Sequence, residues 1–333
     1  MKNSFKSFLI IQTAFIGDVI LATGLIEKLK QYYPEASIDF LVRKGNEGLL
    51  KNNPHLRSVQ TWDKKKGKTI NLIRLGFSFR NKYDAVVNVQ RYASSGLITW
   101  LSNARWKSGF SNNPFAFTYD HKVEHVMDGS QIIHEVQRNH LLIQPITDNQ
   151  FAKPKLYPSS FDFEKIKQYQ QSKYICIAPT SVWFTKQFPP EKWIEFIQSC
   201  DSKLKIFLLG APADHHVCES IRLASAHEGV ENLCGKLSFL ESAALIGGAS
   251  MTFVNDSAPM HMASAMNAPV TAIFCSTLPQ FGFGPLSDQS FVVEVKEKLS
   301  CRPCGSHGMK ACPKIHFDCA NKIQNDQLIR SLS

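Results

Sequence analysis

The chain has 333 residues, 44% of them apolar and 20% charged, which excludes a disordered chain and leaves room for two domains with separate cores. No apolar run is long enough to span a bilayer. The start, MKNSFKSFLIIQ, has too short an apolar patch and no small-residue cleavage site for a signal peptide, so a cytoplasmic protein is expected. The formal charge of +10 is lopsided: residues 1–150 hold 20 Lys/Arg against 12 Asp/Glu, and residues 151–333 hold 18 against 16. A basic first half suits phosphate groups, an acidic sugar or a membrane surface, and a solvated face with no partner is the competing explanation.

In chain order, apolar runs predict strands near 6–12, 37–42, 58–62, 84–89 and 106–110. Amphipathic stretches predict helices near 18–32, 45–51, 67–81 and 94–102, with Pro34 stopping the first. The polar segment 147–172, with Pro154 and Pro158, reads as a linker and a short helix. The pattern then restarts, with strands at 174–178, 205–209, 230–234, 251–255 and 270–275. Helices alternate with them at 190–200, 213–226, 238–246 and 258–266. Such alternation predicts an α/β protein with two successive open parallel sheets, whose ligands sit beyond the carboxyl ends of the strands. The expected division is a first domain over 1–158, a linker and short helix over 159–172, a second domain over 173–320, and a last helix over 321–333 that returns to the first domain.

Candidate chemistry clusters at strand ends. Asp18 stands where the first helix begins, either as an N-cap or as a general base. After the strand 251–255 come Asp256, Ser257, Ala258, Pro259, Met260 and His261, a helix start whose amides and dipole favour an anion. His261 is either a donor to phosphate or a core histidine. Thr180, Ser181 and Lys186 follow the strand 174–178 and together could bind phosphate without a glycine-rich loop, although a surface lysine is the plainer alternative. Gly210 and Asp214 form a strand–turn–acid arrangement that holds a ribose diol or merely caps a helix. Cys301, Cys304, Cys312 and Cys319, spaced C-x2-C-x7-C-x6-C, suggest either a zinc site or packed reduced thiols. No G-x-G-x-x-G follows the first strand of either half, which argues against a dinucleotide-dependent oxidoreductase.

Taken together, Gly17-Asp18, Lys82-Tyr-Asp-Ala-Val, Trp100-Leu, Gly109-Phe110, His134-Glu-Val-Gln-Arg-Asn139, Lys186-x-x-Pro-x-x-x-Trp193, Gly210 with Asp214, Asp256-Ser-x-Pro-Met-His261 and Cys319-Ala-Asn-Lys-Ile323 resemble glycosyltransferase family 9 nearly end to end. The resemblance implies a GT-B architecture, two Rossmann-like open parallel-sheet domains facing across a cleft. It implies an inverting enzyme, peripheral to the cytoplasmic face of the inner membrane, that moves heptose from ADP-heptose to the lipopolysaccharide inner core. By analogy Asp18 is the base, and Lys186, Thr180, Ser181 and Asp256–His261 hold the diphosphate. Asp214 and Gly210 take the nucleoside, and Lys64, Lys65, Lys66 and Arg91 meet an anionic lipopolysaccharide-precursor acceptor rather than nucleic acid. No cofactor is required, although a divalent cation is compatible. The sequence departs from the family pattern at Ala258 and Cys275, which replace usual glycines where the donor is expected. Two alternatives stay open: another nucleotide sugar, or a non-catalytic nucleotide- or glycolipid-binding relative.

Overall fold

The computed structural model describes residues 5–65, 68–127 and 133–332. The chain divides into two compact units, one running to Val126 and resuming over Ile133–Tyr157, the other containing Pro158–Ser333.

The first unit runs β1 (Ser7–Ile11), α1 (Ile16–Tyr32), β2 (Ser37–Arg43), β3 (Leu56–Trp62), α2 (Lys68–Ser78), β4 (Ala85–Asn88), α3 (Ala93–Leu101), β5 (Trp106–Phe110), β6 (His121–Val123) and α4 (Glu135–Leu141). Its six strands are all parallel, in the order β3-β2-β1-β4-β5-β6. The apolar continuity of Phe8–Ile11 and Ala85–Val87 follows from their place at the sheet centre, where helices cover both faces and no side chain meets water. Leu9, Ile11, Leu41, Trp62 and Val86 pack with Leu72 of α2, Phe79 just past its end and Ile98 of α3.

The second unit opens with α5 (Ser160–Ile166) and continues β7 (Tyr174–Ala178), α6 (Pro190–Gln198), β8 (Lys205–Leu208), α7 (His215–Ser225), β9 (Val230–Asn232), α8 (Phe239–Gly247), β10 (Met251–Asn255), α9 (Ala258–Ala265), β11 (Val270–Phe274), β12 (Ser290–Glu294), α10 (Asp318–Asn321) and α11 (Asp326–Ile329). The sheet order β12-β11-β10-β7-β8-β9 repeats the topology of the first, again fully parallel. In both units the order reverses beside the first strand, the crevice position where such sheets bind ligands.

Several expectations are corrected. The helix anticipated near 45–51 is a single 3-10 turn, Glu47–Leu49, because Gly45 and Gly48 leave too few residues to nucleate a longer one. The edge strands β6 and β12 and the helix α4 are additions, the strands hidden in sequence because an edge needs no continuous apolar run. Within 159–172 the expected short helix is α5, capped by Ser159 Oγ, which accepts from Asp162 N–H, and its Ile166 is fully buried within the second unit. The last residues pack within the second unit. Ile323 and Leu328 are fully buried in the second unit's core with Trp193 and Phe253, and Thr271 Oγ1 donates to Ser331 Oγ at 2.7 Å.

Candidate functional site

In the first unit the chain leaves β1 at Ile11 and enters α1 at Ile16, two residues earlier than expected. Asp18 is therefore the third residue of the helix and not its cap, which is Phe15. Its carboxylate reaches back to accept the Phe15 N–H at 3.2 Å, the reciprocal half of a capping arrangement. Burial pushes the Asp18 carboxyl from 3.8 up to about 6, and the Glu135 carboxylate adds to the rise. The amides of Phe15 and Asp18 and the Arg91 guanidinium pull the other way.

Glu135 opens α4 and is itself buried. His125 Nε2 lies 3.1 and 3.2 Å from its two oxygens, and Arg138 Nη1 donates to it at 3.0 Å. Burial alone would raise Glu135, but these two partners outweigh it and hold the carboxyl below its usual range. Glu135 is thus a fixed negative charge acting on Asp18. Lys64 folds back onto the β1–α1 turn, donating to Thr13 O at 2.8 Å with its ammonium 4.7 Å from the Trp62 ring centre. Arg91 is half-buried and Lys65 is exposed, while Lys66 lies outside the described residues.

In the second unit, Lys186 follows β7 and Asp256 follows β10. Their side chains pair, Nζ to Oδ2 at 2.6 Å, and Thr277 Oγ1 donates to the same oxygen at 2.7 Å. Asn255, fully buried, braces both loops: its amide donates to Pro179 O at 2.8 Å and its oxygen accepts the Phe188 N–H at 2.9 Å. Thr180 and Ser181 are half-buried beside this brace, and Ser181 O accepts from Gln187 Nε2 at 2.6 Å.

At the start of α9, Ser257 is the N-cap and Ala258 and Pro259 occupy the first two helical positions. Met260 and His261 are buried, so their side chains belong to the packing beneath the turn, and the Met260 N–H already bonds Ser257 O at 3.1 Å. Across the same sheet, Asp214 Oδ2 accepts the Ala211 N–H at 2.7 Å, which makes it a cap in this structure. A Cβ on Gly210 would stand 2.8 Å from Asp214 Cβ and 2.9 Å from Cys234 Sγ, so only glycine lets that turn close.

The cysteine-rich segment leans on the Lys186 loop. Thr185 Oγ1 accepts the Met309 N–H at 2.7 Å and the Ser276 Oγ–H at 2.9 Å, and Thr185 N–H donates to Met309 O at 3.1 Å. Gly308 has φ +78°, and a Cβ there would meet Lys186 Cγ at 2.8 Å. Burial pushes the Cys319 thiol up to about 12, with Cys304, Cys312 and Cys301 adding to the rise. Cys301 Sγ and His316 Nε2 are 4.0 Å apart. Among the described residues no group of three or more His, Cys, Asp or Glu is placed to hold a metal ion. The four thiols instead belong to a segment that packs against the loop of Lys186 and the end of β11.

The family described as glycosyltransferase family 9 (heptosyltransferase) matches residues 72–313. The chain belongs to this family. Lipopolysaccharide heptosyltransferase 3 of Escherichia coli is 27% identical over 282 residues, covering 79% of this chain and 82% of that protein. Among solved structures, the family 9 glycosyl transferase of Veillonella parvula gives a TM-score of 0.83 at 18% identity, with 99% of this chain and 97% of that one covered. E. coli heptosyltransferase WaaC with ADP gives 0.75 at 20% identity, with 98% and 100% covered. The family 9 chain is a glycosyltransferase, and its fold is GT-B.

Asn255, Thr185 and Thr277, which hold the loops of Lys186 and Asp256, carry no local sequence pattern that marks them. Glu135 lies in the run His134–Asn139, which carries part of the family resemblance, but nothing local in that run shows that its charge acts on Asp18.

Proposed function

We propose that this family 9 enzyme is an inverting heptosyltransferase that moves heptose from ADP-heptose to a lipopolysaccharide inner-core acceptor at a membrane face. Asp18 takes the proton of the acceptor hydroxyl as that oxygen attacks the anomeric carbon. A carboxylate raised to about 6 is a stronger base than an ordinary one yet remains ionised at neutral pH. As the bond to the diphosphate breaks, Lys186 and the amides at the start of α9 receive the growing negative charge.

Lys186 reaches the phosphate by exchanging part of its contact with Asp256, and Thr277 keeps the freed carboxylate hydrogen-bonded. Asp214 and Gly210 face the nucleoside, and Lys64, Lys65 and Arg91 meet phosphates or acidic sugars of the acceptor. The single observation that carries this reading is the raised Asp18 carboxyl in the first turn of α1, in a chain whose relatives are named as lipopolysaccharide heptosyltransferases.

The deciding experiment incubates the purified protein with ADP-heptose and a truncated core acceptor and reads the product mass, with the anomeric configuration read by NMR. The expected result is one added heptose with inverted anomeric configuration, formed far more slowly by Asp18→Asn, while ADP raises the melting temperature of both proteins more than UDP does. Stabilisation by UDP over ADP, or unchanged turnover by Asp18→Asn, overturns the reading.

A further inference from the structure

Helix α2 buries one face and leaves the other apolar. Leu72, Gly76 and Phe79 turn inward, with Leu101 of α3 packed over Gly76. Outward, at i, i+3 and i+7, stand Ile70, Ile73 and Phe77, which are 61%, 39% and 54% exposed. A solvated helix puts charges on that face, so the stripe calls for a partner. On the neighbouring helix α3 Trp100 is also exposed, its ring centre 6.2 Å from that of Phe115, itself 6.1 Å from the exposed Phe117.

Charge identifies the partner. Arg74 projects from the same face, and Arg80 and Lys82 follow it, all three exposed. Between residues 64 and 82 there are seven Lys or Arg and no Asp or Glu. In a two-fold dimer built on this face the same basic patch would meet itself without a compensating acid. Anionic phospholipid headgroups supply that compensation, and acyl chains receive the Ile and Phe side chains of a helix lying in the interface.

We propose that the outward face of α2, Ile70, Ile73, Arg74 and Phe77 with Trp100 beside it, docks this protein on an anionic phospholipid bilayer. The proposal rests on the reading that the acceptor is held at a membrane face, and its test does not depend on sugar transfer. Docking of this kind holds the first unit against the surface from which a lipid-linked acceptor projects. It also stays reversible, since among the described residues no helix is long and apolar enough to cross a membrane.

The test sediments the full-length protein with phosphatidylcholine vesicles, with and without phosphatidylglycerol. Binding is expected only where phosphatidylglycerol is present, and it should fall as salt rises. Ile73→Ser with Phe77→Ser should lower the bound fraction about tenfold, and Arg74→Glu with Arg80→Glu at least as much. Both double variants should keep wild-type transfer to a soluble truncated acceptor and a wild-type melting temperature. Equal binding by wild type and variants, or none by wild type, refutes the docking face. A wild-type dimer that Ile73→Ser with Phe77→Ser dissociates also refutes it, by showing that the face meets a second copy. Vesicle binding as expected, in a protein that transfers no heptose, keeps the docking face and removes the proposed activity.

Discussion

Lys186 and Asp256 hold each other at 2.6 Å across two loops that follow different strands of one sheet, with 15% and 7% of their side chains exposed. Removing the lysine alone leaves a buried carboxylate whose remaining partner on that oxygen is the Thr277 hydroxyl. Lys186→Ala is expected to cost about 3 kcal/mol of stability, because breaking a buried pair from one side is worse than never having it. Adding Asp256→Asn should recover most of that loss without restoring ADP affinity. Chemical denaturation and ADP titration of the four proteins in the cycle measure both. Additive stability losses would show that the pair does not act as a unit.

Asp18 links folding to pH in a defined direction. Its folded value, about 6, lies above the ordinary 3.8, so the folded state binds the proton more tightly. Stability from this group is full below 3.8 and is lost as pH rises toward 6. Asp18→Asn removes that loss and can still accept the Phe15 N–H. At pH 7.5 it should be more stable than wild type by about 1–2 kcal/mol after discounting for the partly open side of the residue, and the gap should close near pH 4. Its transfer rate should fall by about 10²–10⁴, the usual worth of a positioned base. Denaturation midpoints across pH, with turnover measured beside them, check both statements.

How much of this was legible in the sequence depends on how local the cause was. The strands β1, β4, β7 and β10 are readable because a central parallel strand must be apolar on both faces, and nothing distant changes that. The departures came where a partner decides. Asp18 reads equally as cap or base until the helix start is known. His261 and Met260 look like ligands of an anion site until packing places their side chains under the turn. Glu135, 117 positions away from Asp18 in sequence, has its influence set entirely by the packing of α4 on α1. Nothing in the cysteine spacing shows that the segment lies on the Lys186 loop, because Thr185 and Met309 meet only after the second unit has folded.

Glu135→Gln tests the charge that acts on Asp18. Without the neighbouring carboxylate, ionising Asp18 becomes easier, so its pKa falls toward the ordinary value. Since the proposed base works only when deprotonated, the acid limb of the kcat/KM profile should move to lower pH, with the plateau lowered because a weaker base removes the proton less readily. Arg138 and His125 lose their anion, so a stability loss of about 3 kcal/mol is expected alongside. A pH–rate profile unchanged in its acid limb would separate Glu135 from Asp18 and leave only its structural role.

Gly308 tests whether the cysteine-rich segment supports the Lys186 loop. At φ +78° an alanine is strained whatever its surroundings, and its Cβ would also press on Lys186 Cγ at 2.8 Å. Gly305 supplies the control, with φ +71° and no heavy atom within 4 Å of an added Cβ. Both alanine variants should lose about 1 kcal/mol from backbone strain. Only Gly308→Ala should also weaken ADP binding, because it displaces the lysine stem that the Thr185–Met309 bonds hold in place. Isothermal titration with ADP, at a temperature where both variants are folded, reads the difference. Equal affinities would mean that this segment covers the loop without positioning its lysine.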